Sequence, residues 1–147
     1  LLVNVLPFHP FLIKPNNHEL GEIFGVEICE KEDVVTYAKK LQERGARNVL
    51  ISMAGDGAVL VAEDGSVYQA EAPEGKLINS VGAGDSMVAG FLAGYFLGEI
   101  LLADAGIAQK VVAFQMGVCT GSASAFSEEL ATKAEVLDLL EKNQNLF

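Results

Sequence analysis

Near the start of the chain, the pattern of apolar and polar residues changes within a few residues from that of a strand to that of a helix. Residues 11–14 form a short apolar run that Pro15 ends, as expected for a buried strand. Asn16 is a good helix N-cap, and Glu19 falls at the third helical position, as in a capping box. The sequence therefore predicts a helix that begins after Asn16 and stops at Gly25.

A second helix, a strand and a hairpin are predicted from the residues that follow. Residues 31–44 place apolar side chains at helical spacing, and the β-branched residues 48–52 indicate a buried strand. A turn-rich loop at residues 53–57 leads into residues 58–62 and 66–70, which predict a β-hairpin.

Small residues dominate the second half of the chain. An apolar pair at residues 77–78 gives way to a small-residue helix predicted over residues 85–97. A second long helix is predicted over residues 104–125. A last helix, predicted over residues 132–142, begins with another capping box.

This order of elements predicts a layered α/β fold in a single domain, residues 1–147. Ligands in such folds gather at the carboxyl ends of parallel strands. Three polar or glycine-rich motifs, at residues 16–19, 52–57 and 82–85, follow what we interpret as such ends. We therefore expect the three motifs to meet at one rim of the sheet.

Composition and charge exclude several classes of partner. A chain of 147 residues is expected to bury about two-thirds of its unfolded surface, and its hydrophobic content of 50% argues against disorder. The net charge of −10 argues against binding to the phosphate backbone of nucleic acid, which needs basic patches. No apolar run approaches the ~18 residues that span a bilayer. We expect no nucleic acid and no membrane as partner.

The cysteines indicate the cellular compartment of the protein, and the first residues indicate whether the chain is part of a longer one. Cys29 and Cys119 lie far apart without metal-type spacing, which favours free thiols in a reducing cytoplasm. Residues 1–13 have neither a basic leader nor a small-residue cleavage site, so a signal peptide is a poor interpretation. The chain starts without Met, at what resembles the tail of an element already under way, and we expect a piece of a longer protein.

The motif Gly82-Ala83-Gly84-Asp85 carries the most chemistry. Glycines let successive N–H groups point into one anion-binding hollow, and the helix start adds a positive end. Asp85 beside that hollow could accept a proton from a hydroxyl. An ordinary tight turn with Asp85 as helix N-cap explains the spacing equally well. No Gly-Lys-Ser/Thr follows, so the motif is not a P-loop.

The other motifs each have a structural alternative. Asn16 and Glu19 suit a hydrated Mg²⁺ near phosphates, although the capping box explains them alone. Residues 52–58 could lie along a nucleotide or form a simple turn before the hairpin, and Lys14 could meet a phosphate or be solvated. The small-residue helix at residues 113–125 could approach a flat ligand, or could simply pack tightly.

Together, the motifs resemble the carboxy-terminal half of ribokinase-like sugar kinases of the phosphofructokinase B type. The resemblance covers all 147 residues and rests on three motifs in order: Lys14-Pro15-Asn16-x-x-Glu19, then Ser52, Gly55 and Gly57, then Val81-Gly82-Ala83-Gly84-Asp85-Ser86. Many members have Asp-Thr before the third motif, whereas this chain has Asn79-Ser80, which favours the branch acting on fructose 1-phosphate.

The resemblance implies a fold and a set of roles. The fold would be a three-layer α/β/α arrangement around a mostly parallel sheet, incomplete here because the amino-terminal half and its β lid are absent. The implied roles are Asp85 as base, the backbone of Gly82, Ala83 and Gly84 as anion hole, Asn16 and Glu19 at Mg²⁺, Lys14, Ser52, Gly55 and Gly57 along ATP, and Ser122 and Ser124 near adenine.

The resemblance also implies a reaction, the ATP-dependent phosphorylation of a phosphorylated ketohexose. The expected conversion is fructose 1-phosphate to fructose 1,6-bisphosphate, with tagatose-6-phosphate kinase or a non-catalytic nucleotide-binding module as alternatives. The chain alone is expected to be inactive, and to self-associate through surface that the absent half would cover.

Overall fold

A computed structural model describes the backbone of residues 2–101 and 106–146 and the side chains of residues 2–97 and 109–145. The chain divides into two compact units, residues 1–69 and residues 70–147. The single domain expected from the chain length stays a prediction.

The first unit begins with helical elements that the local sequence encodes. A 3₁₀ helix, Leu2–Phe8, precedes strand β1, Leu12–Ile13, and helix α1, Asn17–Phe24. Asn16 caps α1 in a capping box with Glu19, and Gly25 ends it at φ +67°, as predicted. Helix α2 spans Lys31–Glu43.

The sheet has four strands in the order β1-β2-β3-β4. Strand β2, Asn48–Ser52, runs parallel to β1 and antiparallel to β3, Ala58–Val61. Strand β4, Val67–Ala70, neighbours β3 after a short turn, which confirms the hairpin. The α/β fold is confirmed, but in the described part of the chain only β1 and β2 form a parallel pair, so this sheet is mixed.

The core of the first unit lies between α1, α2 and the sheet. Leu20 from α1 and Val34, Ala38 and Leu41 from α2 are completely buried. They pack with alternate residues of two strands, namely Val49, Ile51, Val59 and Val61. This core fixes the ends of β1 and β2, where two of the three motifs lie.

The second unit is helical. Helix α3 spans Ala83–Leu101, α4 spans Gly106–Ala125 and α5 spans Lys133–Lys142. Helix α3 thus begins two residues before its predicted start, and the predicted α4 start at Asp104 lies outside the described residues. No helix within the described ranges has the length and apolar content required to cross a bilayer.

One expectation about this unit is wrong: the third motif does not follow a strand. Residues 71–80 contain neither helix nor strand. The Ile78 N–H donates to the Ala125 carbonyl oxygen at the end of α4, at 2.9 Å, so it does not pair with a strand. Leu77 and Ile78 are 65% and 53% exposed, unlike residues of a buried strand.

Glycines bring α3 and α4 close together. A Cβ at Gly94 would lie 2.8 Å from the Val112 carbonyl oxygen, and one at Gly117 would lie 3.1 Å from the Met87 carbonyl oxygen. A Cβ at Gly90 would collide with Thr120 and Met116. The small residues of α4 therefore serve tight helix packing, the structural alternative to ligand contact.

Helix α5 begins at a second observed capping box. Thr132 is its N-cap and Glu135 its third residue, as predicted. The Thr132 backbone N–H donates to Glu135 Oε2 at 2.7 Å. This bond, with weaker help from the hydroxyls of Thr132 and Ser127, lowers the pKa of the Glu135 carboxyl.

Candidate functional site

A glycine turn delivers the chain into α3 and leaves backbone donors at its start. Gly82 has φ +80°, a conformation that glycine adopts without strain. The Ser86 N–H donates to the Gly82 carbonyl oxygen at 2.8 Å and so closes the first helical turn. The N–H groups of Gly84 and Asp85 precede that bond and have no acceptor among the described residues. They can therefore bind an anion.

Within this turn, the Asp85 side chain is free to meet a ligand, whereas the Ala83 N–H already has an acceptor. The Asp85 side chain is exposed in the first turn of α3, beside the unpaired N–H groups. A carboxylate there can accept a proton from a hydroxyl that approaches a bound phosphate. The Ala83 N–H instead donates to the Ser80 carbonyl oxygen at 3.2 Å, so this member of the expected anion hole already has a partner.

Hydrogen bonds of Asn79 connect the turn before α3 to the end of α4 and the residues just after it. Its Oδ1 accepts the Val81 N–H at 3.0 Å, and its Nδ2 donates to the Glu128 carbonyl oxygen at 3.2 Å. Its backbone N–H donates to the Ala125 carbonyl oxygen at 3.1 Å. The sequence pattern signalled only the first of these bonds, since an asparagine readily accepts an N–H two residues ahead.

In the first unit, the parallel pair brings Lys14, Asn16 and Ser52 together. Lys14 Nζ donates to Ser52 Oγ at 3.4 Å. Asn16 and Ser52 form an isolated parallel bridge, and the Ser52 N–H donates to the Pro15 carbonyl oxygen at 3.3 Å. The ends of β1 and β2 therefore place Lys14, Asn16 and Ser52 side by side.

Asn16 and Glu19 form hydrogen bonds with each other in the capping box. Asn16 Oδ1 accepts the Glu19 N–H, and Glu19 Oε2 accepts the Asn16 N–H, both at 2.8 Å. Within the described ranges Glu19 Oε1 has no donor, and the side chain is exposed. Mg²⁺ keeps several waters and needs only one or two carboxylates beside phosphate oxygens, so these residues fit the ion through Glu19.

The loop between β2 and β3 is a compact turn. Residues Ala54–Asp56 form a 3₁₀ turn, closed by the Met53 N–H donating to the Gly57 carbonyl oxygen at 2.8 Å. Gly57 has φ +90°, whereas Gly55 faces open space. The simple-turn alternative is thus present, and Gly55 leaves the outer side of the turn open to a ligand.

A pocket lies beside this strand end. Its volume is about 400 Å³, and Lys14 and Glu19 line it together with Leu2, Val3, Pro15, Glu22 and Ile23. One cation and two carboxylates among the lining residues favour a ligand with phosphate and a metal ion over a purely apolar one.

Ser124 and Ser122 differ in accessibility. Ser124 is only 3% exposed, and its Oγ contacts Ser86 Oγ at 2.9 Å. Ser122 is half-buried, and its carbonyl oxygen accepts the Phe126 N–H at 3.0 Å. An adenine contact by Ser122 stays a prediction, while Ser124 points into the protein.

The whole motif set corresponds to one known family. Residues 3–138 match the pfkB family carbohydrate kinase profile. This chain belongs to the pfkB family. The resemblance drawn from the three motifs is confirmed.

Relatives in the pfkB family carry kinase names. The 1-phosphofructokinase of Bacillus subtilis (strain 168) is 52% identical over 139 residues, which are 95% of this chain and 43% of the relative. The D-tagatose-1-phosphate kinase of Bacillus licheniformis is 36% identical over 122 residues, 80% of this chain and 40% of the relative.

Solved structures confirm the pfkB fold. A candidate phosphofructokinase from Staphylococcus aureus superposes with a TM-score of 0.81 at 37% identity, over 95% of this chain and 42% of that one. The chain spans less than half the length of these relatives.

The site residues of the pfkB resemblance fall into two groups in this chain. The unit of residues 1–69 contains Lys14, Asn16, Glu19, Ser52, Gly55 and Gly57. The unit of residues 70–147 contains Gly82, Ala83, Gly84, Asp85, Ser122 and Ser124. Within the first group Lys14, Asn16 and Ser52 lie together, and within the second Ser124 contacts Ser86, the residue after Asp85. Convergence of all three motifs at one rim stays a prediction.

Proposed function

We propose that the intact protein that contains this chain is an ATP-dependent kinase converting fructose 1-phosphate to fructose 1,6-bisphosphate. The observation that carries the proposal is the turn at residues 82–85, where the exposed Asp85 carboxylate lies beside the Gly84 and Asp85 N–H groups, which have no acceptor in the described part of the chain. The 52% identity to a protein named 1-phosphofructokinase supports the choice of substrate.

In this proposal the turn both accepts the proton of the attacking hydroxyl and stabilises the charge on the transferring phosphoryl group. The C6 hydroxyl oxygen forms a bond to the γ-phosphorus, the bond from that phosphorus to its bridging oxygen breaks, and ADP leaves. The Asp85 carboxylate takes the hydroxyl proton. The N–H groups of Gly84 and Asp85 donate to the transferring oxygens, where charge must be stabilised.

The strand ends of the first unit would hold the nucleotide. Lys14 offers a positive charge to the phosphates, and Ser52, Gly55 and Gly57 would line the phosphates and ribose. Asn16 and Glu19 would hold hydrated Mg²⁺, which neutralises charge on ATP when bound. The free thiols Cys29 and Cys119 suit a cytoplasmic location.

The sugar phosphate can be narrowed by comparing the relatives' names. Both named relatives act on a ketohexose 1-phosphate by name, and the two sugars differ at one carbon centre. This favours a 1-phosphate acceptor over tagatose 6-phosphate, the alternative drawn from the resemblance. Comparison of kcat/KM for fructose 1-phosphate, tagatose 1-phosphate and tagatose 6-phosphate tests the choice.

Asp85→Asn in the intact protein tests the mechanism. The substitution keeps the size of the side chain but removes the proton acceptor, so kcat should fall by about 10²–10⁴. ADP affinity, measured by calorimetry, should stay near that of the wild type. Asp138→Asn is the matched control, because Asp138 is an exposed aspartate on α5 that pairs with Lys142 at 2.6 Å.

A near-normal kcat in Asp85→Asn would remove the base from the mechanism. If the wild type binds ADP but transfers no phosphate to any ketohexose phosphate, the non-catalytic nucleotide-binding module replaces the kinase.

A further inference from the structure

Ser124 joins three segments of the second unit through one buried hydroxyl. Its Oγ contacts Ser86 Oγ in the first turn of α3 at 2.9 Å. The same Oγ accepts the Ala131 N–H, in the segment before α5, at 3.2 Å. Since Ser124 is only 3% exposed, water cannot easily replace either partner.

The contact with Ser86 bears directly on the turn at residues 82–85. Ser86 follows Asp85, and its N–H closes the first helical turn on the Gly82 carbonyl oxygen at 2.8 Å. The direction of the Asp85 carboxylate and of the neighbouring N–H groups therefore depends on where Ser86 is held. A hydroxyl that fixes Ser86 also fixes the geometry of the base and the anion hole.

We propose that Ser124 is a positioning residue for the phosphoryl transfer of the intact protein, an inference that rests on the proposed function. Its hydroxyl holds the first turn of α3 against the end of α4. It does not contact adenine, because it is buried and bonded to two partners within the protein.

Two substitutions remove the same hydrogen bond from either side. In the intact protein, Ser124→Ala and Ser86→Ala should each lower kcat by about tenfold, because small displacements of reacting groups are costly. The KM for ATP should change by less than about twofold, since neither hydroxyl touches the nucleotide. The double variant should be no slower than the slower single variant, because one shared bond is lost once.

Ser127→Ala is the matched control. Ser127 lies just beyond α4, and its Oγ donates to the Ala123 carbonyl oxygen at 2.9 Å and to Glu135 Oε1 at 3.3 Å. Like Ser124, Ser127 carries a hydroxyl near the end of α4, but it has no described bond to α3. It should lower Tm less than Ser124→Ala, because Ser127 is less buried and water can replace its partners, and it should leave kcat unchanged.

Amide hydrogen exchange gives a readout that needs no kinase activity. The N–H groups of Ser86 and Met87 should exchange faster in Ser124→Ala than in the wild type and Ser127→Ala, because the first turn of α3 is released. If the wild type phosphorylates no sugar phosphate, the proposed function fails, while unchanged exchange in Ser124→Ala would refute the positioning of the turn.

Two kinetic outcomes would overturn the proposal. Equal kcat values for Ser124→Ala and Ser127→Ala would leave Ser124 with a structural role alone. A raised KM for ATP with an altered preference between ATP and GTP would instead show that Ser124 contacts the base.

Discussion

At the level of single residues, two kinds of hydrogen bond hold the helix starts, one between close neighbours in the chain and one between helices. Asn16 with Glu19 and Thr132 with Glu135 form the predicted capping boxes, because each pair lies three residues apart and needs no tertiary partner. Ser124 was assigned to a ligand from the family resemblance. Its actual partner, Ser86, is 38 residues away, a separation that no local pattern reveals.

The two cysteines should differ in reactivity. Burial raises the pKa of the Cys119 thiol from its ordinary 9.0 to about 11, whereas Cys29 is exposed. A thiol reagent at pH 8 should therefore label Cys29 in the native protein, and Cys119 only after denaturation, as peptide mass mapping can show. Equal labelling of both thiols in the native state would contradict the buried position of Cys119.

The same pKa difference makes stability depend on pH. The unfolded thiol of Cys119 ionises near its ordinary pKa of 9.0, before the folded thiol at about 11. Its contribution to the free energy of unfolding is thus fully present below about pH 9 and is lost as pH rises through about 11. Cys119→Ala should flatten the decline in denaturant midpoint over this range.

At the scale of elements, α3 and α4 show what a stripe of small residues achieves. Glycines on both helices allow carbonyl oxygens and Cα atoms of one helix to approach the other. The sequence predicted both helices and left open whether the stripe on α4 packs or binds a ligand. The observed contacts at Gly117 and Gly121, against Met87 and Ala83 of α3, assign this stripe to packing.

Gly90→Ala should destabilise the second unit. Alanine favours an isolated helix by about 1 kcal/mol over glycine, so any loss must come from packing. An added Cβ would collide with the Met116 carbonyl oxygen and Thr120, and the free energy of unfolding should fall by about 1–3 kcal/mol. Urea unfolding followed by circular dichroism measures the change.

Gly55→Ala is the control for this substitution. No atom lies within 4 Å of a Cβ at Gly55, so the free energy of unfolding should stay within about 0.5 kcal/mol of the wild type. A Gly90→Ala protein as stable as Gly55→Ala would refute the close approach of α3 and α4.

For the whole molecule, the chain matches its family over residues 3–138 and spans less than half of a relative's length. The resemblance implies that the residues that bind the sugar phosphate belong to the amino-terminal half of the family, outside these 147 residues. Apolar side chains are also exposed, among them Phe8 at 84%, Val81 at 79% and Leu130 at 66%. Exposed apolar surface of this kind favours association.

The 147-residue chain expressed alone should transfer no phosphate from ATP to fructose 1-phosphate, because it lacks the proposed acceptor pocket. In a coupled assay for ADP it should match the no-enzyme blank, while the intact protein is active. Its elution volume in size-exclusion chromatography should correspond to more than one copy. Turnover by the chain alone would place the acceptor pocket within these residues.

The sequence by itself determined the helices, the hairpin, the two capping boxes and the family. Periodicity, caps and glycine turns act over a few residues, so they can be interpreted without a partner. Only the tertiary structure decided that residues 77–78 form no strand, that Ala83 N–H is occupied by Ser80, and that Ser124 reaches Ser86. These outcomes depend on packing between segments far apart in the chain, which local patterns do not encode.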